Sequence, residues 1–195
     1  MSGARPDGRH VDAPVRRSDP GRRDRIIDAC LDVIAESGVA GTSHRRVAAA
    51  ADVPLGSMTY HFAGMDELLH EAFARFAGSV ADRAGRTLGA ATTPEEAERA
   101  VIDVITRDVF ETPRAHVLTH ELYTLAARRP EYRVLTEAWM ARSRDALERW
   151  FDPATARLLD AFVEGITIHR ALDGAPADDA LVAEGVRRIL RPAAA

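Results

Sequence analysis

The chain has 195 residues, of which 46% are hydrophobic and 29% charged, with a net charge of −4 and one cysteine, Cys30. This length suits one large domain or two small ones with shared packing; no apolar run reaches the ~18 residues of a membrane span, and the N-terminus lacks the apolar segment of a secretory signal, so the expected compartment is the cytoplasm, with no membrane partner. Residues 1–62 carry nine arginines against eight acids and residues 63–195 carry seventeen against twenty-two, which excludes a bulk nucleic-acid binder, so any DNA contact is confined to one face.

In chain order, residues 1–21 mix Gly, Pro, Arg and Asp without an apolar period and read as a disordered arm. Its Arg5, Arg9, Arg16 and Arg17 belong to a solvated tail or reach a minor groove. Arg22 to Ser37 forms the first helix, with Ile26, Cys30 and Val33 in line and Gly38 as its C-cap. That alignment makes Cys30 a core residue, with a redox sensor as the alternative.

Thr42–Phe62 reads TSHRRVAAAADVPLGSMTYHF. Thr42 and Ser43 are N-cap types, and Ser43 to Ala51 is alanine-rich, with Val47, Ala48 and Ala51 on one face. Asp52-Val53-Pro54 breaks the run, and a second short helix is expected from Pro54 through Tyr60. Two short helices around a tight turn form a helix-turn-helix. Gly56 removes bulk, while Ser57, Thr59, Tyr60 and His61 offer groups suited to phosphates and base edges. Met58 and Phe62 point the other way, toward Val47 and Val53. From these residues alone an ordinary helical corner remains open.

The stretch resembles the DNA-binding domain of TetR-family transcriptional regulators. The match runs through Thr42, Val47-Ala48, Val53, Gly56 and Tyr60-His61-Phe62, and extends to Asp66-Glu67-Leu68-Leu69, covering roughly Arg22–Phe76. Three positions depart from the family pattern: Asp52 replaces a usual glycine, Thr59 a frequent tyrosine and Met65 a frequent lysine. The resemblance implies an all-α fold with a helix-turn-helix domain over 22–64 and a ligand-binding and dimerisation bundle over 65–195. It also implies a homodimer on a double-stranded, near-palindromic operator, most often as a repressor. DNA contacts are expected from Thr42, Ser43, Arg45, Arg46, Leu55, Gly56, Ser57, Thr59, Tyr60 and His61. Tyr60 and His61 are assigned to phosphate and Arg45 to base edges.

Beyond Gly64 a fourth helix carries Leu69, Phe73, Phe76 and Val80 as an apolar stripe. Gly85, Gly89 and Thr92-Thr93-Pro94 mark a loop. Helix five then runs to about Glu111 with Val101, Val104, Ile105 and Val109 inward. Prolines 113, 130 and 153 open helices six, seven and eight, which extend to about Arg129, Phe151 and Leu172. Asp178–Leu190 makes the ninth helix, and no segment reads as a strand.

His116 and His120 form an H-x-x-x-H pair beside Glu121, a spacing that suits a metal as well as a pocket or interface. Helix seven brings Trp139, Met140, Trp150 and Phe151. A cavity for an apolar or amphipathic effector is assigned to Phe110, His116, His120, Tyr123, Trp139 and Phe162. By the family pattern, Leu158, Phe162, Ile166, Val182, Val186 and Ile189 form the dimer interface. No nucleophile elbow, phosphate loop or paired cysteine points to an enzyme, and no cofactor is called for. The alternative is a helical partner- or metal-binding protein without specific DNA binding.

Overall fold

Four consecutive helices of the C-terminal half begin on proline, a residue whose fixed φ suits a first helical turn and whose missing N–H costs nothing there. In three of them the preceding side chain closes the turn. Thr93 accepts from the Glu96 amide at 3.2 Å, Thr112 from the Ala115 amide at 3.2 Å, and Asp152 from the Ala154 and Thr155 amides at 3.0 and 3.1 Å. The computed structural model describes residues 19–108, 112–174 and 176–191. These form α1 (Arg22–Ser37), α2 (His44–Ala50), α3 (Gly56–His61), α4 (Met65–Gly89), α5 (Pro94–Asp103), a π-helical segment (Val104–Asp108), α6 (Pro113–Arg128), α7 (Pro130–Leu147), α8 (Pro153–Leu172) and α9 (Asp179–Leu190). No strand occurs among the described residues. The expected N-terminal arm lies almost wholly outside them.

The all-α expectation holds, with adjusted boundaries. Helix α4 continues through Gly85 and Gly89, so the connection to α5 is only Ala90–Thr93. Regular α-helical bonding ends at Asp103, where the chain widens into the π segment. The expected extension to Glu111 falls partly outside the described residues. Helix α7 stops at Leu147, because the Trp150 and Phe151 amides both turn back to the Leu147 carbonyl at 3.0 Å. In the turn between α2 and α3, Asp52 takes φ +51° in the left-handed region. Glycine, which the family pattern has at this position, takes that conformation freely, and aspartate is among the few other residues that tolerate it.

One apolar core runs through both halves. Ile26, Cys30 and Ile34 of α1 meet Val47, Met58 and Phe62 of the helix-turn-helix and Leu68, Leu69, Phe73 and Phe76 of α4, all buried. Burial pushes the Cys30 thiol up to about 12, so it stays a protonated packing residue. Ion pairs fasten the outside of this junction: Arg23 to Glu71, and Arg75 to both Asp24 and Asp28, tie α1 to α4. The lower half of α4 is therefore fastened to the N-terminal helices. Its C-terminal part packs into the bundle, with Val80 and Leu88 buried in the same core.

Candidate nucleic-acid interface and effector cavity

Ser43 starts α2 by accepting from the Arg46 amide at 3.4 Å, and Thr42 donates its hydroxyl to the Gly38 carbonyl at 2.9 Å. Both side chains thus shape the entry to the helix. Arg45 is exposed on α2. Arg46 is exposed too, but bonded to the protein: it donates to the Gly41 carbonyl at 2.9 Å and Ser37 Oγ at 2.6 Å, and approaches Glu36 at 3.4 Å. Arg46 thus braces α2 against the end of α1 while its side chain stays exposed.

Helix α3 starts two residues later than expected. Pro54 and Leu55 form its entering turn, their carbonyls accepting from the Ser57 and Met58 amides at 2.8 and 3.1 Å. Met58 and Phe62 are buried as expected. Leu55, Gly56, Thr59 and Tyr60 face outward; Tyr60 is 84% and Leu55 55% exposed, and nothing lies within 4 Å of the position a Gly56 side chain would occupy. Ser57 differs from expectation, being only 8% exposed. It sits one residue before Met58 on the turn that faces the core, so it is removed from the outward set. His61 is half-buried, its ring edge-on to Tyr60 with centroids 4.9 Å apart. Met65, in place of lysine, packs against the core.

The outward face of α3 is apolar and hydroxylic, and Arg45 is exposed on the preceding helix. This composition fits a major groove: a leucine for thymine methyls, hydroxyls for phosphate and base edges, and an arginine for guanine.

In the C-terminal half a cavity of about 40 Å³ lies between α4, α6, α7, α8 and the π segment. Val80 and Ala84 of α4, Val104, Tyr123, Trp139, Met140, Val163 and the polar Ser143, Asp160 and Glu164 line it. Of the expected lining, Tyr123 and Trp139 lie in this cavity's wall, their rings 6.0 Å apart. His116 and His120 lie outside the wall, with His120 Nδ1 2.9 Å from the His116 carbonyl of its own helix. Phe162 is turned away, packed on Gly185 of α9 so closely that a Cβ there would come within 3.0 Å of Phe162 Cε2 and nearer still to Cζ. Phe110 lies outside the described residues.

Two carboxylates that sequence reading missed, Asp160 and Glu164, stand one helical turn apart in the cavity wall. Asp160 faces Arg144 at 3.5 Å. Glu164 lies beside the Tyr123 hydroxyl, and burial holds both this carboxyl and the Tyr123 phenol above their ordinary values. Their i, i+4 spacing on an apolar helix was the available signal. Among the described residues no three His, Cys, Asp or Glu side chains converge to hold a metal ion.

The interface expectation needs one correction. Val182 and Val186 are fully buried within the protomer, where α9 packs on α5 and α8. Ile166 and Ile189 are half-buried against the same core. Leu158 remains outward at 58% exposure, and Leu172 and Leu181 join it as exposed apolar residues. Among the described residues no helix is long and apolar enough to cross a membrane.

The cavity is joined to the N-terminal helices along α4 and α7. Trp139 packs edge-on against Phe76, Phe73 against Tyr132, and Arg129 reaches from the start of α7 to Asp66 in the first turn of α4 at 3.0 Å. Arg142 pairs with Asp82 further up.

Known proteins share this arrangement. The family model described as bacterial regulatory proteins, tetR family, matches residues 26–72, and the model described as tetracyclin repressor-like, C-terminal domain, matches residues 92–192. SCO7518 of Streptomyces coelicolor A3(2) is 54% identical, with 87% of this chain and 98% of that chain covered at a TM-score of 0.81. The multidrug binding protein EbrR, in its complex with ethidium, is 37% identical, with 86% and 98% covered and a TM-score of 0.72. The HTH-type transcriptional regulator BetI of Rhizobium meliloti (strain 1021) is 29% identical over 166 residues, 81% of this chain and 82% of BetI. With both of its halves matched and its helix-turn-helix joined to a bundle cavity through α4, the chain belongs to the TetR family of transcriptional regulators.

Proposed function

We propose that the protein is a homodimeric, ligand-responsive repressor that binds a near-palindromic operator and releases it when an aromatic effector enters the cavity between α4, α6, α7 and α8. The observation that carries the DNA half is the outward face of α3, where Tyr60 and Leu55 are largely exposed although no fold contact requires it. Leu158 and Leu172 lie fourteen residues apart on one face of α8, and they supply an apolar seam for a second copy. A two-fold axis there would place two α3 helices in successive major grooves, ~34–36 Å apart or a multiple of that.

The size of the cavity gives the release step a physical cause. At about 40 Å³ it holds little more than a water, whereas accepting even benzene takes a cavity of roughly 150 Å³. An aromatic effector must therefore part the walls. Val80 and Ala84 of α4 are two of those walls, and the π segment that contributes Val104 is the kind of widened turn that gives way at functional sites. The lower part of α4 is ion-paired to α1, so displacing α4 changes the separation of the two recognition helices. That EbrR is complexed with ethidium, proflavin and malachite green supports a flat aromatic effector for this related chain.

The test is DNA capture with the full chain, followed by fluorescence anisotropy on the captured site. A palindromic site bound by a dimer, and released by proflavin or ethidium, is the expected result. A monomer without salt-dependent affinity for any duplex overturns the proposal.

A further inference from the structure

We infer that the cavity selects its effector by charge, taking aromatic monocations, and that Glu164 is the residue that reads the charge. This rests on the proposal that the cavity is the effector site. The walls are aromatic and aliphatic apart from Ser143, Tyr123 and two carboxylates. Of those two, Asp160 already faces the Arg144 guanidinium at 3.5 Å. Glu164 differs: among the described residues its attractive neighbours are the Tyr123 hydroxyl and the more distant His120 ring, and no arginine pairs with it.

The lining therefore presents one negative charge without a cationic partner, set against the Tyr123 and Trp139 rings. Glu164 is half-buried, and a carboxylate drawn partly out of water without a counter-charge is less favourable than one that has a cation beside it. A cation whose positive charge is spread over an aromatic system satisfies both parts of the wall at once. Its charge offsets Glu164, and its ring plane meets the faces of Tyr123 and Trp139, whose quadrupoles favour cations. A neutral ring of equal size gains only the second contact, and an anionic one is repelled by both acids. A dication would exceed the single charge left unmatched.

The stacked pair also sets the orientation. The Tyr123 and Trp139 planes are inclined by 32° with centroids 6.0 Å apart, and the Glu164 carboxylate lies toward the Tyr123 hydroxyl. The cationic edge of the ligand is thus directed toward α8, with its apolar edge toward Val80, Ala84 and Val104 on α4 and the π segment. The groups facing Glu164 from the packed elements are Tyr123 and His120 of α6 and Asp160 of its own helix.

The experiment compares proflavin, a cation at neutral pH, with acridine, the same ring uncharged in mildly alkaline buffer. Binding to the full-length dimer is followed by tryptophan quenching and calorimetry in wild type, Glu164→Gln and Asp160→Asn, each checked by thermal melting. The expected result is that wild type prefers proflavin and that Glu164→Gln lowers this preference by at least about tenfold. Asp160→Asn, which leaves the Glu164 charge in place, lowers it less. Equal loss of both probes in Glu164→Gln, no loss in either, or no binding of proflavin by wild type overturns the inference. Operator release is scored separately. Glu164-dependent binding without release supports charge selection and refutes the regulatory proposal, whereas release that persists unchanged in Glu164→Gln does the reverse.

Discussion

Trp139 stands edge-on to Phe76, ring centroids 6.1 Å apart and planes at 87°, so an aromatic contact joins the cavity wall on α7 to the middle of α4. Any ligand that displaces Trp139 presses on the helix that carries the DNA-binding half. Phe76→Leu keeps an apolar side chain at a buried site and removes the edge contact, a change of about 1 kcal/mol. The expected outcome is a slightly lower melting point, effector affinity within about twofold of wild type, and incomplete operator release at saturating effector. Anisotropy titrations of labelled operator check this; complete release by the variant would remove the contact from the coupling route.

Tyr60 and Met58 sit two residues apart on α3 with opposite surroundings, one 84% exposed and the other fully buried. Tyr60→Ala is expected to leave the melting point nearly unchanged, within about 0.5 kcal/mol of stability, and to weaken operator binding. Met58→Ala opens a void under the helix-turn-helix and is expected to cost about 2–5 kcal/mol. Circular-dichroism melts beside gel shifts separate the two effects. A Tyr60→Ala protein that binds its operator as wild type does would strike that residue from the interface.

Gly185 is needed because Phe162 lies against it. An added Cβ would have to displace the ring, and overpacking of that kind costs typically 1–3 kcal/mol. Gly185→Ala is therefore expected to melt lower and to dimerise less readily, since α8 and α9 no longer pack in register. Phe162→Leu in the same chain should restore part of the loss. Sedimentation velocity and thermal melting are the readouts, and a Gly185→Ala protein as stable as wild type would mean that the ring has room to move.

Burial, the largest cause, raises the Glu164 carboxyl above its ordinary value; Asp160 adds to the rise, while Tyr123 and His120 oppose it. The folded protein thus holds this proton more tightly than the unfolded chain. Its contribution to stability is present below the ordinary glutamate value of about 4.3 and is lost as pH rises through the folded value. Glu164→Gln keeps an acceptor for Tyr123 and cannot ionise. It is expected to melt higher than wild type at neutral pH, with the difference narrowing toward pH ~4. Melting curves across that range decide it, and a variant that melts lower at neutral pH would show that attraction outweighs burial at this carboxylate.

The chain's local chemistry determined the helices and most of their ends. Capping side chains, N1 prolines and apolar spacing act within one or two turns, so α1, the prolines that open α6, α7 and α8, and the inward Met58 and Phe62 were legible from neighbours alone. The outward α3 face followed from the same pattern, apart from Ser57. What only the tertiary structure decided was how faces are shared between helices. Val182 and Val186 have the spacing of an interface, yet α5 and α8 bury them within the protomer. Arg46 looks free in sequence and is bound by the end of α1. Asp160 and Glu164 look like solvated acids on α8, but they stand half-buried in a cavity wall shared with α4, α6 and α7, because a side chain's surroundings depend on which helix lies across from it and no local pattern carries that information.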